Sequence, residues 1–292
     1  MMISITNSAQ HELLRLSQGQ LNLLERCPRE FQHTYLEQLR PPTNPDNQEK
    51  QLQGSRFHLL MQQQEMGLEI EKFLEIDDDN RKNNHDILQL QNWIKGFAIA
   101  APEILTKSGN SETFRESEHY RTLQVENYLL TVIYDLVIAN QEQAEIFDWK
   151  TYPKPENKRK LQYNWQTRLY LYVLAETSDY PPENISMTYW FVQSQNKPHS
   201  IKFSYNSSQH QQTKKKLNQH LNRLTQWLEA YQQGEQFPQL SEDNKTCNHC
   251  QYASRCQRQY VGSDTKSSSQ NLSRVDVTLV NLANIQEVSI KS

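Results

Sequence analysis

The chain has no run of residues apolar and long enough to cross a bilayer, which takes about 20 consecutive apolar positions, so no membrane partner is expected from it. Residues Met1 to Gln18 also lack the basic-then-apolar layout of a secretory leader, which makes the cytoplasm the expected compartment. A basic surplus is missing too: 31 Lys and Arg stand against 34 Asp and Glu, for a formal charge of −3. Proteins that hold nucleic acid unaided gain much of their affinity from displaced counterions and usually carry excess positive charge. Any such binding here must therefore come from local charge, for which Lys154, Lys158, Arg159 and Lys160 form one basic run and Lys214, Lys215 and Lys216 another. No internal repeat is present. Apolar residues are scarce, 36% of the 292, and are gathered in a few segments such as 128–138 and 169–175. That distribution predicts a compact core with polar outer helices.

Leu23, Cys27, Phe31 and Tyr35 recur at four-residue steps and predict a helix over 19–39, ended by Pro41, Pro42 and Pro45. Phe57, His58 and Met61 share a face of a second helical stretch over 54–74, Asp77 to Asp79 mark a turn, and a third helix covers 86–106. The pattern then changes to strands at 114–122, 126–139 and 144–151, rich in Val, Ile, Leu, Thr and Tyr. On the second strand both alternating faces are apolar, Leu129, Thr131, Ile133 and Val137 on one and Tyr128, Leu130, Val132 and Leu136 on the other. This predicts a central strand covered on both sides. A helix at 160–177, strands near 185–194 and 199–205, and a long helix at 208–233 complete an α/β sandwich with a mixed sheet. Residues 1–18 read as a polar N-terminal segment and 19–260 as the folded domain. Residues 261–292 read as a flexible linker and tail, with Val275 to Ile290 open to a protein partner.

Asp135 stands in the most apolar strand of the chain, where a carboxylate is costly unless paired, protonated or bound to a metal. Asp148 and Lys150, two apart on the next strand, project from one face with the carbonyl of Trp149 between them. A hairpin would bring Asp135 close to Asp148. Two carboxylates and a backbone oxygen suit Mg²⁺ or Mn²⁺, and an ammonium beside such a centre can orient water or offset charge on a phosphate. A salt bridge that merely satisfies buried charge fits the same spacing.

The arrangement resembles the PD-(D/E)xK nuclease superfamily and its RecB-like exonuclease branch, over roughly residues 19–260. Gly54 and His58, in the run Gly-Ser-Arg-Phe-His, look like the branch's helical histidine motif. Tyr134 and Asp135 look like its first aspartate motif, and Phe147 to Thr151 like its Asp-x-Lys-Thr motif. Gln166 and Tyr170 look like its Gln-x-x-x-Tyr helix. The resemblance implies a restriction-endonuclease-like core, with His58, Asp135, Asp148 and the Trp149 carbonyl as ligands of a divalent ion. It gives Lys150 the role of assisting the attacking water, Gln166 that of positioning Lys150 or the substrate, and Tyr170 a supporting one. Glu118 looks like the branch's upstream glutamate, with Glu116 as an alternative on the same face. The branch commonly has glycine where this chain has Val132, which puts substrate access in question.

The four cysteines are Cys27, Cys247, Cys250 and Cys256, the last three spaced C-x2-C-x5-C in a polar segment. Disulfides are not expected in a cytoplasmic chain. Four thiolates complete either a Zn²⁺ site or a 4Fe–4S cluster, and spacing leaves both open. One cysteine before the core and three after it is the layout of AddB-like and CRISPR-associated exonucleases, and this resemblance implies iron–sulfur, joining the two ends of the domain. The activity implied is phosphodiester hydrolysis on DNA, single-stranded or with free ends, in repair and recombination or in defence, with Lys154, Lys158, Arg159 and Lys160 gripping the backbone. The alternative is a weak or inactive nuclease-fold subunit that binds DNA or a protein partner.

Overall fold

The computed structural model describes residues 13–39, 45–70, 85–105, 113–152, 157–193 and 197–258. Pro41 and Pro42, the turn at Asp77 to Asp79, Lys154, and the linker and tail from residue 261 onward lie outside the described residues. Two compact units are present, Met1–Asn244 and Lys245–Ser292. No helix among the described residues is long and apolar enough to cross a membrane.

The first unit runs β1 (Leu14–Leu16), α1 (Gln18–Arg26), α2 (Pro28–Phe31), a π turn (Gln32–Leu36), α3 (Pro45–Glu65), α4 (His85–Ala100) and α5 (Pro102–Leu105). It continues with β2 (Phe114–Val125), β3 (Tyr128–Ala139), β4 (Ala144–Lys150), α6 (Lys158–Tyr163), α7 (Trp165–Glu176), β5 (Ile185–Phe191), β6 (His199–Ser204) and α8 (Ser207–Gln232). The result is the expected α/β architecture, a mixed central sheet flanked by helices. The helix expected over 19–39 breaks at Cys27, which is extended (φ −160°, ψ 109°) because Pro28 disfavours the helical region for the residue before it. The helix expected over 160–177 breaks at Asn164 (φ −68°, ψ 143°), whose side chain caps α7 by accepting from the Gln166 N–H. Strand β1, within the segment read as polar, is three residues long, too short for alternation to register.

Strand β3 organises the sheet. One of its edges is paired with antiparallel β2 from Val125 opposite Tyr128 to Phe114 opposite Ala139, with a single gap at Glu118 and Asp135. The other is shared, parallel β1 taking residues 128–130 and antiparallel β4 taking 136–139. Beyond Phe147, β4 leaves β3 but stays in parallel register with β5 as far as Lys150 opposite Phe191. The sheet thus forks beside Asp135, between strands held firmly on their far sides.

Apolar residues fill both faces. Leu130, Val132 and Tyr134 pack with α1, α7 and α8 in one core, while α3 and α4 bring Phe57, Met61, Trp93 and Phe97 against Phe147, Trp149 and Trp190 in a second. Phe97 meets Trp149 and Trp190 edge-on at 5.1 and 5.2 Å between ring centres, a geometry that aromatic quadrupoles favour. Two expectations for β3 need correction. Its alternation slips by one at the fork, since Val137 and Ala139 share the first core with Val132 while Leu136 and Ile138 lie in the second. Nor is it covered throughout on both faces: Ile133 is 46% exposed, where β1 and β4 leave a gap along one edge of β3 that no helix among the described residues closes.

Candidate active site

The fork opens into a cleft of about 1290 Å³, lined by α3, β2, β3 and the chain following β4. Helix α3 reaches it through Gly54. A β-carbon at that position would lie 2.8 Å from Thr151 Oγ1, so glycine lets the helix approach the end of β4 closely. One turn later on the same helix face, His58 Nδ1 sits 3.2 Å from Asp135 Oδ1. Burial alone would lower the pKa of this imidazole, but the hydrogen bond and charge of Asp135, joined by the charge of Asp148, outweigh it and hold it above the ordinary value.

Glu118 completes the group. It falls opposite Asp135 in the β2–β3 register, yet neither residue joins the ladder between Ser117–Leu136 and His119–Tyr134. Its φ is +51°, a left-handed conformation rare for a residue with a β-carbon, costing about 1–3 kcal/mol and kept only where the surroundings impose it. Donor atoms of His58, Glu118 and Asp135 lie within 4.8 Å of one another, the one such group of three or more His, Cys, Asp or Glu among the described residues. Burial, and then the charge of Asp135, raise the pKa of Glu118. Glu116 instead pairs with His119, 2.8 Å away.

Asp148 lies behind this group, 2% exposed. Its Oδ1 is 2.5 Å from Lys150 Nζ, and its Oδ2 accepts from Gln166 Nε2, also at 2.5 Å. Gln166 Oε1 in turn accepts from Lys150 Nζ at 2.8 Å, closing a ring of three side chains, and the ammonium lies 5.0 Å from the centre of the Tyr189 ring. The cap at Asn164 thus sets Gln166 on the first turn of α7, facing Asp148 and Lys150. Burial pushes the Asp148 carboxyl up to about 7 against the pull of Lys150, with the charge of Asp135 acting in the same direction as burial. Asp148 Oδ1 is buried with no hydrogen bond of good geometry, its one close neighbour being that ammonium.

The remaining expected residues fall as follows. The Trp149 side chain is buried in the second core, and its N–H donates to Asp135 Oδ2 at 2.7 Å where the β3–β4 ladder has ended. Tyr170 lines the cleft and stands edge-on to Tyr134, 5.2 Å between ring centres; burial raises the pKa of its phenol, and the charges of Asp148 and Asp135 add to the rise. Val132 packs in the first core and does not line the cleft. Lys158, Arg159 and Lys160 are exposed on α6 and do not line the cleft either. Gln53, Leu59 and Tyr152 do line it. Each directly flanks a motif, Gln53 before Gly54, Leu59 after His58 and Tyr152 after Thr151, without being one of its residues. Cys27 is buried where α1 passes into α2. Within the second unit, turns follow one another, with the Cys250 N–H donating to the Cys247 carbonyl at 3.2 Å and the Cys256 N–H to that of Tyr252 at 3.1 Å.

With this geometry in view, the comparisons with known proteins decide the family. The sequence model of the PD-(D/E)XK nuclease superfamily matches residues 15–257. The chain belongs to that superfamily. Among solved structures, the fold is similar to that of a candidate exonuclease from Eubacterium rectale, with a TM-score of 0.50 and 11% identity over 94% of this chain and 97% of that one. At that identity the likeness speaks to the fold. A second structure, of SSO0001, matches 56% of this chain and 84% of its own with 13% identity and a TM-score of 0.27, too low to bear on the architecture. No curated protein matches the chain.

Proposed function

We propose that this PD-(D/E)XK nuclease is a Mg²⁺- or Mn²⁺-dependent enzyme of the RecB-like exonuclease branch, hydrolysing DNA from free ends or on single strands. The reading rests above all on one observation, the convergence of His58, Glu118 and Asp135 in an open cleft. The donor set fits a hard divalent ion. Two carboxylates on adjacent strands, Glu118 and Asp135, repel each other without a cation between them. His58, Glu118 and Asp135 would hold the ion, with Asp148 and the Trp149 carbonyl as the further ligands that the resemblance implies. When bound, such an ion polarises the scissile phosphate and lowers the pKa of an attacking water.

The protein's own groups do the rest. Asp148 and Gln166 fix the Lys150 ammonium from two sides, so it needs no reorganisation to orient water or offset charge on the phosphate. Gln166 bridges lysine and aspartate and holds both in register. Tyr170, its phenol kept protonated by burial, forms one wall of the cleft. Lys158, Arg159 and Lys160, exposed just before α7, offer contacts to the backbone of a longer strand. The four thiols are the right donors for a 4Fe–4S cluster, the assignment the resemblance favours over Zn²⁺. Repair or recombination is the setting it implies.

The test is purified protein with Mn²⁺ on end-labelled single-stranded DNA, beside Asp148→Ala, Lys150→Ala and Glu118→Gln. Equal cleavage by all four removes the mechanism. Anaerobically purified protein is expected to absorb near 400 nm and to lose that band in Cys250→Ser; colourless wild type with bound zinc would replace the cluster by a zinc site.

A further inference from the structure

Gln53 stands on α3 immediately before Gly54 and lines the same cleft as His58 and Asp135. It is only 5% exposed, and neither its Nε2 nor its Oε1 has a hydrogen-bond partner. A buried amide left unpaired on both atoms is costly, and an apolar side chain of equal length would fill the space without that cost. Its neighbours in the cleft show the reverse anomaly. Leu59, Ile133 and Tyr152 are 52%, 46% and 37% exposed, apolar groups held open to the same space. Charge adds a third observation. Among the described residues that line the cleft, the carboxylates are Glu49, Asp86, Glu118 and Asp135, the last two belonging to the metal-binding group, and Lys50 is the one lysine or arginine. Away from the metal-binding group Glu49 and Asp86 stand with Lys50, and Asp86 pairs with Arg56 at 3.3 Å, so this near-neutral wall suits the uncharged part of a nucleotide.

We infer that Gln53 contacts the edge of an unpaired nucleobase seated against Leu59, Ile133 and Tyr152, so that the cleft selects single strands through a base as well as through the scissile phosphate. The inference rests on the reading of the cleft as a nuclease site. An amide presents a donor and an acceptor side by side, matching the paired donor and acceptor on a base edge. A base face stacks on aromatic and apolar groups with little regard to sequence. Both contacts need a base that has left its duplex. Both amide atoms of Gln53 are buried, so the contact requires rotation about its side-chain bonds toward the incoming edge.

The experiment measures fluorescence anisotropy of oligothymidylate and an abasic strand of equal length, with Ca²⁺ replacing the catalytic ion to suppress cleavage. Wild type is expected to bind the base-bearing strand about tenfold more tightly. Gln53→Met, melting no lower than wild type because it removes an unpaired amide, loses about tenfold on that strand and nothing on the abasic one. Tyr152→Ala, at an exposed ring, shows the same selective loss. Unchanged base preference in Gln53→Met, an equal loss on both strands, or a much lower melting point overturns the inference. Cleavage of the same oligonucleotide by wild type in Mn²⁺ is scored separately, so failure of the nuclease reading is not confused with failure of this one.

Discussion

Glu118 offers the sharpest perturbation. In the metal-free protein its carboxylate faces that of Asp135 across two strands, and like charges in that relation destabilise by about 0.2–1 kcal/mol, toward the low end where solvent screens them. Its left-handed backbone adds a second cost that Gln shares and Gly does not. Glu118→Gln should therefore raise the melting temperature of chelator-treated protein slightly, by up to about 3 °C. Glu118→Gly should raise it somewhat further, by removing strain that costs about 1 kcal/mol or more. Divalent metal reverses the order. A ligand at about 100 times its dissociation constant stabilises by about 2.7 kcal/mol, or about 5–10 °C for a chain of this size. Wild type should gain that shift in Mn²⁺ while both variants lose most of it.

The assay is a thermal melt of each protein in chelator and in excess Mn²⁺, followed by circular dichroism. A structural glutamate gives the opposite pattern, with both variants melting several degrees lower in chelator. An undiminished Mn²⁺ shift in Glu118→Gln would equally refute the reasoning, since it would leave the carboxylate no part in holding the ion.

Other perturbations test the neighbouring parts. Metal-free wild type should lose stability relative to Asp148→Asn as pH rises from about 4 to about 7: the folded state holds the Asp148 proton up to about 7 while the unfolded chain releases it near the ordinary carboxylate value; denaturant melts of both proteins across that range check it. Gly54→Ala should cost about 1–3 kcal/mol and depress cleavage by crowding Thr151, and Thr151→Ala in the same chain should restore both, as read from urea melts and initial rates. Gln166→Ala should lower kcat about a hundredfold with little change in DNA affinity, because it frees Lys150 and Asp148 from their bridge while leaving the cleft wall in place; single-turnover cleavage beside anisotropy separates the two.

The layers of the fold were legible because burial imposes periods on sequence. The apolar run of β3, the three-strand sequence before α6, and the long amphipathic α8 were all located to within a few residues from spacing alone. Helix breaks were read less well. Cys27–Pro28 and Asn164 each end one helix and begin another within a continuous apolar stripe, and periodicity does not register a single extended residue. The Pro28 signal is present in the chain, yet the four-residue steps from Leu23 to Tyr35 run straight through it.

At the site, legibility divided along the same line between local and long-range geometry. Asp148 and Lys150 share a strand, so their pairing follows from alternation, and the 2.5 Å contact agrees with it. Glu118 and Asp135 are different. Strict alternation places Ile133 and Val137 together and allows Glu116 to stand in for Glu118, but the chain departs from alternation at this point, with a positive φ on β2 and a change of face on β3. Local sequence carries no mark of that irregularity, because it is imposed from outside: β1 and β4 compete for one edge of β3, and β4 is drawn away by seven registered pairs with β5. The fork frees the Trp149 N–H for the Asp135 carboxylate, leaves Ile133 uncovered, and sets two acidic side chains against each other. The last two are unfavourable for a folded domain taken by itself, and all three lie in the cleft or at its edge. A sequence under selection for stability alone would have closed the gap with paired strands and apolar side chains. That it keeps them open beside His58 and Lys150 is the physical reason to look for a cation and a nucleic-acid strand there.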